Sequence, residues 1–209
     1  MKIIVFGSGA LGSLMIHFLC KAGNDVTVVA RSTADELRRN GLIVKHYLQR
    51  KTSIDHPTIL ESVPTDEHFD IAFSVMQGQQ QKELLETFKK LDTNILVLVG
   101  NNLEAEFCQN SILEKRPDLH LLFGFQNSAG HREGAKAIAA RLPVTKLFVG
   151  GLHNASSETD LVAIQKAFNQ MIYIHKKFEE WRLQHKSIPM PTWDKISQYM
   201  PTDIDDIHY

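Results

Sequence analysis

Three glycines near the start of this chain could do chemistry by having no side chains. Gly7-Ser8-Gly9-Ala10-Leu11-Gly12 spells Gly-x-Gly-x-x-Gly directly after the apolar run Ile3-Ile4-Val5-Phe6. At that spacing Gly7 permits a tight turn, Gly9 lets backbone approach a pyrophosphate, and Gly12 lets a helix pack closely on a strand. The phosphates would sit at the helix N-terminus, where free N–H groups and the helix dipole favour negative charge. Ser8, Ala10 and Leu11, set between the glycines, belong to the same dinucleotide-binding loop. The second constellation is Arg31-Ser32, some twenty residues further on. NAD-binding chains usually carry Asp or Glu there to bond the ribose 2′-hydroxyl. Here no carboxylate follows until Asp35. A guanidinium grips a 2′-phosphate bidentately and a nearby hydroxyl adds a donor, which favours NADP over NAD. The competing reading of Arg31 is a solvated surface arginine.

The flanking elements are those the glycine motif needs. The apolar run before Gly7 reads as a buried parallel strand. A helix is predicted over Ala10–Ala22, with Leu11, Leu14, Met15, Phe18 and Leu19 on one face and Gly23-Asn24 as its stop. Asp25–Ala30 is rich in β-branched residues and reads as the second strand, completing a βαβ unit. Thr33–Asn40 is a short helix capped by Ser32 or Thr33 and stopped by Gly41. Gly41–Leu48 and Lys51–Ile59 read as an antiparallel pair joined at Gln49-Arg50, and Glu61–His68 as a loop. Asp70–Met76 is a buried strand, Gln79–Lys90 a helix, Asn94–Val99 a strand and Leu103–Leu113 a helix. Leu119–Phe125 and Val144–Val149 are further strands. This alternation predicts a Rossmann-type, doubly wound, mainly parallel sheet of the α/β class, with a short helical C-terminal extension.

Composition sets limits. With 209 residues, 43% of them hydrophobic, the chain can bury a sizeable core. A net charge of −1 offers no general attraction to nucleic acid or to anionic lipid. No apolar stretch reaches membrane-spanning length, and the first apolar run reads as a strand rather than a signal peptide. Cys20 and Cys108 fall in apparent helices without partners in sequence. They read as buried thiols in a reducing cytoplasm, with no metal site and no disulfide.

The order of these segments resembles the ketopantoate reductases (2-dehydropantoate 2-reductases). The matching pieces are Gly7–Gly12, Val28-Val29-Ala30-Arg31, Glu36–Leu42, Asp70–Val75 and Ala129-Gly130-His131-Arg132-Glu133-Gly134. The resemblance implies an N-terminal Rossmann domain that holds NADPH, over residues 1–160, followed at 161–209 by a short helical tail. That tail is the remnant of, or a substitute for, a helical domain that closes over a small keto acid. It implies hydride transfer to the 2-keto group, giving a 2-hydroxy acid. Gln77 stands where the family carries a lysine after the fourth strand; it can bond a ribose or phosphate oxygen but brings no charge. Asn101 is the nearest match to an asparagine that touches the nicotinamide side. Its alternative role is that of a helix cap or turn residue.

The catalytic half carries over less well. The family's main lysine lies in a Trp-x-Lys-like stretch, which Glu179-Glu180-Trp181-Arg182-Leu183-Gln184-His185-Lys186 resembles. Leu183 falls where the lysine is expected. Lys186, three positions on, and His185 are the substitutes that could polarise the keto oxygen and donate a proton. Against both stands a solvated, highly charged helix face. The stretch Thr192–Met200 is a helix candidate whose Trp193, Ile196, Tyr199 and Met200 share one face. That apolar face suits a homodimer that supplies missing groups across its interface. Three functions remain open: an NADPH-dependent ketopantoate-type reductase, an NADP(H)-binding module without catalysis, and an NADP oxidoreductase acting on another small keto acid.

Overall fold

A computed structural model describes residues 1–141, 145–152, 156–169 and 172–175. The chain runs β1 (Lys2–Phe6), α1 (Ala10–Lys21), β2 (Asp25–Val29), α2 (Ala34–Asn40), β3 (Leu42–His46), β4 (Lys51–Asp55) and β5 (Thr58–Leu60). It continues with β6 (Phe69–Val75), α3 (Gly78–Glu83), α4 (Leu85–Lys90), β7 (Thr93–Val99), α5 (Ala105–Lys115) and β8 (His120–Gln126). The hairpin β9 (Ser128–Glu133) and β10 (Lys136–Arg141) follows, then β11 (Thr145–Gly150), α6 (Glu158–Ala167) and β12 (Ile172–His175). The main sheet has the order β12-β11-β8-β7-β6-β1-β2-β5. Its pairs are parallel except β11 against β8. This is the expected doubly wound Rossmann arrangement, with β1 at the point where the strand order reverses.

Successive residues of a strand face opposite sides of its sheet, so a strand covered on both faces must be apolar throughout. Ile3 and Val5 of β1 enter one core with Ile71, Phe73 and Val97. Ile4 and Phe6 enter the other, under α4 and α5, where Phe6 meets Phe88 edge-on at 5.3 Å. The unbroken run before the first glycine is thereby explained.

A second, four-stranded sheet of order β4-β3-β10-β9 lies over α1. Its two hairpins come from distant parts of the chain and join through the parallel pair β3–β10, with Val44 opposite Ala137. This cover corrects the one-faced reading of the first helix, because Ile16 and His17 are buried as well as Leu14, Met15, Phe18 and Leu19. The burial of His17 is made tolerable by Asp55 of β4, whose carboxylate sits 2.8 Å from its Nδ1. Beneath the same cover, Cys20 is pushed up to about 12 by burial, with the Asp55 charge adding to the shift. It is an unreactive thiol in the folded chain.

Other expectations need correction in detail. Lys51–Ile59 is not one strand: β4 ends at Asp55, and Thr58–Leu60 crosses to the main sheet beside β2. Pro57 stands at the break, where it has no N–H to give to a ladder. The helix expected over Gln79–Lys90 divides at Leu84 (φ −97°, ψ 6°). Ala129–Gly134 proves to be most of β9 and its turn. Residue 160 lies within α6, and β12 pairs with β11 at the edge of the main sheet. Among the described residues no helix is long and apolar enough to cross a membrane.

Candidate functional site

The carboxyl ends of β1, β2, β6, β7 and β8 open onto a cavity of about 890 Å3. It lies where ligands bind in open α/β sheets, outside the strand ends at the switch point. Gly7, Ser8, Gly9, Ala10, Leu11, Gly12, Arg31, Ser32, Gln77 and Asn101 all line it. His185 and Lys186 lie outside the described residues, as does Thr192–Met200.

The three glycines are there for different reasons. Gly7 has φ +100°, and a methyl group on it would stand 2.6 Å from the Val75 carbonyl oxygen. A methyl on Gly12 would overlap the Gly7 carbonyl oxygen and lie 3.0 Å from its carbon. Both are required by the protein's own structure, Gly7 by its positive φ and the close end of β6, Gly12 by the approach of α1 to the loop after β1. Gly9 is different. It is the N-cap of α1 with φ −64°, and a methyl there would meet no protein atom within 4 Å. Nothing in the fold demands a glycine at this position, so the bare backbone serves whatever enters the cavity. Gly9 offers no capping side chain, and the first turn of α1 holds no carboxylate, which leaves its N–H groups and dipole facing the cavity.

The loop after β2 is tied to this floor. Ser8 Oγ and Thr33 Oγ1 are 3.1 Å apart, and Ser13 Oγ donates to the Ser8 carbonyl at 3.1 Å. Thr33 holds the N-cap position of α2 without a side-chain capping bond, so its hydroxyl serves the glycine loop instead. Arg31 and Ser32 are exposed at the cavity edge. The nearest acidic residue on α2, Asp35, is engaged by Arg38, which also holds Glu61. No ion pair of Arg31 occurs among the described residues.

On the other half of the cavity, a buried amide pair sets the strand ends. Gln81 Nε2 donates to the carbonyls of Ser74, Met76 and Val99 at 3.2–3.3 Å. Gln81 Oε1 accepts from Asn102 Nδ2 at 2.9 Å, and Asn102 Oδ1 accepts from the Glu104 N–H. The asparagine that caps this turn is therefore Asn102, while Asn101 stays exposed and lines the cavity. Gln77 is the N-cap of α3, and its N–H donates to Gln80 Oε1 at 3.3 Å.

The far wall was not visible in the sequence. Strand β9 runs across the cavity from the end of β8 toward α2, placing Gly130 and Arg132 in the lining. A methyl on Gly130 would meet the Ala10 Cβ at 3.0 Å, so the strand passes directly over the start of α1. Beyond it, the Ala135 N–H donates to Glu36 of α2 at 3.2 Å. Gln126, at the end of β8, is 1% exposed, and its Nε2 donates to Ser128 Oγ at 2.7 Å. Its Oε1 has no partner. A Ser-Ala-Gly-His-Arg-Glu strand carries no apolar alternation, and the resemblance matched Ala129–Gly134 without giving it a contact in the site.

A long groove with a bare helix N-terminus in the middle and an unpaired arginine at one end suits an extended, negatively charged ligand. Fold and cleft together define a Rossmann-type α/β protein with its ligand groove at the switch point. The family model described as ketopantoate reductase PanE/ApbA matches residues 3–139, and the chain belongs to that family. No curated protein matches it. Solved structures show the same fold. A candidate 2-dehydropantoate 2-reductase from Enterococcus faecalis superposes with a TM-score of 0.68 at 18% identity, covering 84% of this chain and 56% of that one. A 2-dehydropantoate 2-reductase from Methylococcus capsulatus gives 0.66 at 21% identity, covering 95% and 68%. D-mandelate dehydrogenase, solved with NADH and anilino(oxo)acetate, gives 0.64 at 17% identity, covering 84% and 56%. The chain thus spans little more than half the length of two of these three proteins.

Proposed function

We propose that this chain holds NADP(H) along the cleft and carries the cofactor half of a 2-keto acid reductase of the ketopantoate type. The observation that carries the reading is Gly9, a glycine that the fold itself does not need, at the bare N-terminus of α1 in the cavity floor. D-mandelate dehydrogenase takes NADH in this fold, so the fold alone does not select a 2′-phosphate. The preference for NADP rests on Arg31 at the end of β2, with Ser32 beside it and no carboxylate in that place. When bound, NADPH would supply a hydride for the 2-keto carbon; with a proton delivered to the keto oxygen, this gives a 2-hydroxy acid and NADP+.

The chain's own residues bind and orient. The N–H groups of the first turn of α1 face the pyrophosphate, and Arg31 grips the 2′-phosphate. Gln77 and Asn101 flank the other half. Charge-assisted contacts of this kind are worth about 1.5–3 kcal/mol, so NADPH should bind roughly tenfold to a hundredfold more tightly than NADH. Arg31→Ala removes most of that difference. Equal affinities for the two cofactors in the native protein would refute the NADP assignment. Turnover is read from the nicotinamide absorbance with ketopantoate and other small 2-keto acids as substrates. A second reading, cofactor binding without turnover, is favoured by Leu183, which stands where the resemblance places the catalytic lysine. It predicts saturable NADPH binding and no consumption with any keto acid.

A further inference from the structure

Arg132 of β9 is an exposed arginine that lines the same cavity as Arg31. The ladder fixes its direction. In the antiparallel pair of β9 with β10, Gly130 stands opposite Ala139 and Arg132 opposite Ala137, and opposed residues share one side of a sheet. Ala137 and Ala139 are fully buried in the core that includes Leu14 and Met15 of α1. Arg132 therefore leaves the second sheet on the side that covers the helix. His131 and Glu133, 3.6 Å apart, alternate to the other side. Along the strand, Gly130 passes over Ala10, and a methyl on Gly134 would lie 3.4 Å from the Glu36 carboxylate. Arg132 thus stands between the start of α1 and the first turn of α2, in the cavity that Arg31, Ser32 and Thr33 also line. Glu36, the carboxylate at this end of the strand, accepts the Ala135 N–H, and no ion pair of Arg132 occurs among the described residues. Two guanidiniums from distant segments share one end of the cleft without acidic partners.

We infer that Arg132 is a second cation for the 2′-phosphate of the cofactor, holding it from β9 while Arg31 holds it from the end of β2. This contact rests on the NADP reading above and adds to it a specificity residue from a different part of the chain. The chemistry of the ligand calls for one. A phosphate monoester carries close to two negative charges near neutral pH and three terminal oxygens, of which a bidentate guanidinium takes two. The pyrophosphate carries one charge on each phosphorus and has the N–H groups of α1 to serve it. Two residues along β9 from the place over Ala10, a step of about 6.6 Å, carry Arg132 away from the pyrophosphate and toward α2.

The test is fluorescence titration of the whole chain and its variants with NADPH and with NADH. Arg132→Gln should weaken NADPH binding about three- to fivefold, the upper range for an exposed charge pair. Its affinity for NADH should stay at the native value, which also shows that the variant is folded. Arg31→Ala should retain a small preference for NADPH, and the double variant Arg31→Ala/Arg132→Gln should retain none. An equal loss for both cofactors in Arg132→Gln puts the guanidinium on the pyrophosphate and overturns the inference. So does an NADPH-to-NADH preference that stays at the native ratio in that variant, and in that case the NADP reading still stands on Arg31. Equal affinities for the two cofactors in the native chain overturn the NADP reading itself, and the inference with it.

Discussion

Replacing each glycine of the first loop by alanine separates what the fold needs from what the ligand needs. In Gly12→Ala the new methyl overlaps the Gly7 carbonyl oxygen, a backbone atom that cannot swing away. Overpacking of that kind costs about 1–3 kcal/mol, and the stiffer unfolded chain returns only about 0.4–1 kcal/mol. A net loss near 2 kcal/mol lowers Tm by about 4–8 °C in a chain of this size. Gly7→Ala fares no better, since it must adopt φ +100° with its methyl 2.6 Å from the Val75 carbonyl oxygen. Gly9→Ala meets nothing within 4 Å at φ −64°. The weaker capping by alanine and the stiffer unfolded chain offset each other to within about 1 kcal/mol, so Tm moves by less than about 4 °C. Under the proposed function, however, the methyl stands where the pyrophosphate would approach the helix N–H groups. Losing those charge-assisted bonds costs about 1.5–3 kcal/mol, or roughly tenfold to a hundredfold in NADPH affinity. Thermal melts and NADPH fluorescence titrations of the three variants give the answer. A Gly9→Ala protein that binds NADPH like the native chain, or melts as low as Gly12→Ala, refutes the reasoning.

Two further expectations concern the scaffold. Gln81→Leu strands the carbonyls of Ser74, Met76 and Val99 and the amide of Asn102 in a buried place. It should lose at least about 2 kcal/mol in a denaturant melt, with NADPH binding weakened as Asn101 and Gln77 shift. Cys20, with its ordinary value of 9.0 pushed up to about 12 in the fold, stays protonated where the unfolded chain ionises. Stability is therefore full below pH 9 and drains as pH rises toward 12. Cys20→Ala should flatten that alkaline limb in urea midpoints taken at pH 8 and pH 10.5.

The local part of this design was legible because it is written in local code. The run Ile3–Phe6 followed by three spaced glycines is a strand, a turn and a helix start in twelve residues. Arg31 could be placed by counting from them. The cavity brings both together with Gln77 and Asn101, which came from the resemblance. The rest depends on pairings between distant segments. Nothing in Ser128–Glu133 announces a strand, because β9 takes its form from hydrogen bonds to β10 and from its passage over Ala10. Asn102 could not be told from Asn101 by type. Which of two adjacent asparagines turns inward is decided by Gln81, twenty-one residues away. His17 reads as a polar interruption in an apolar helix until Asp55 arrives from β4.

These non-local contacts bear on binding because of where they act. The start of α1 is held on every side that faces protein. The Gly7 N–H reaches the Val29 carbonyl at 3.4 Å, Ser8 is bonded to Thr33, Gly130 presses over Ala10, and His17, about two turns further on, is fixed by Asp55. The two hairpins that build the cover enter the chain at separate points, one within the β2–β6 crossover and one after β8. They close over the helix only by pairing β3 with β10. A helix N-terminus fixed in this way has little freedom left to lose when an anion docks, so more of the contact energy is available as affinity. The second sheet is thus part of the binding device: it forms one wall of the groove and immobilises the helix whose dipole forms the floor.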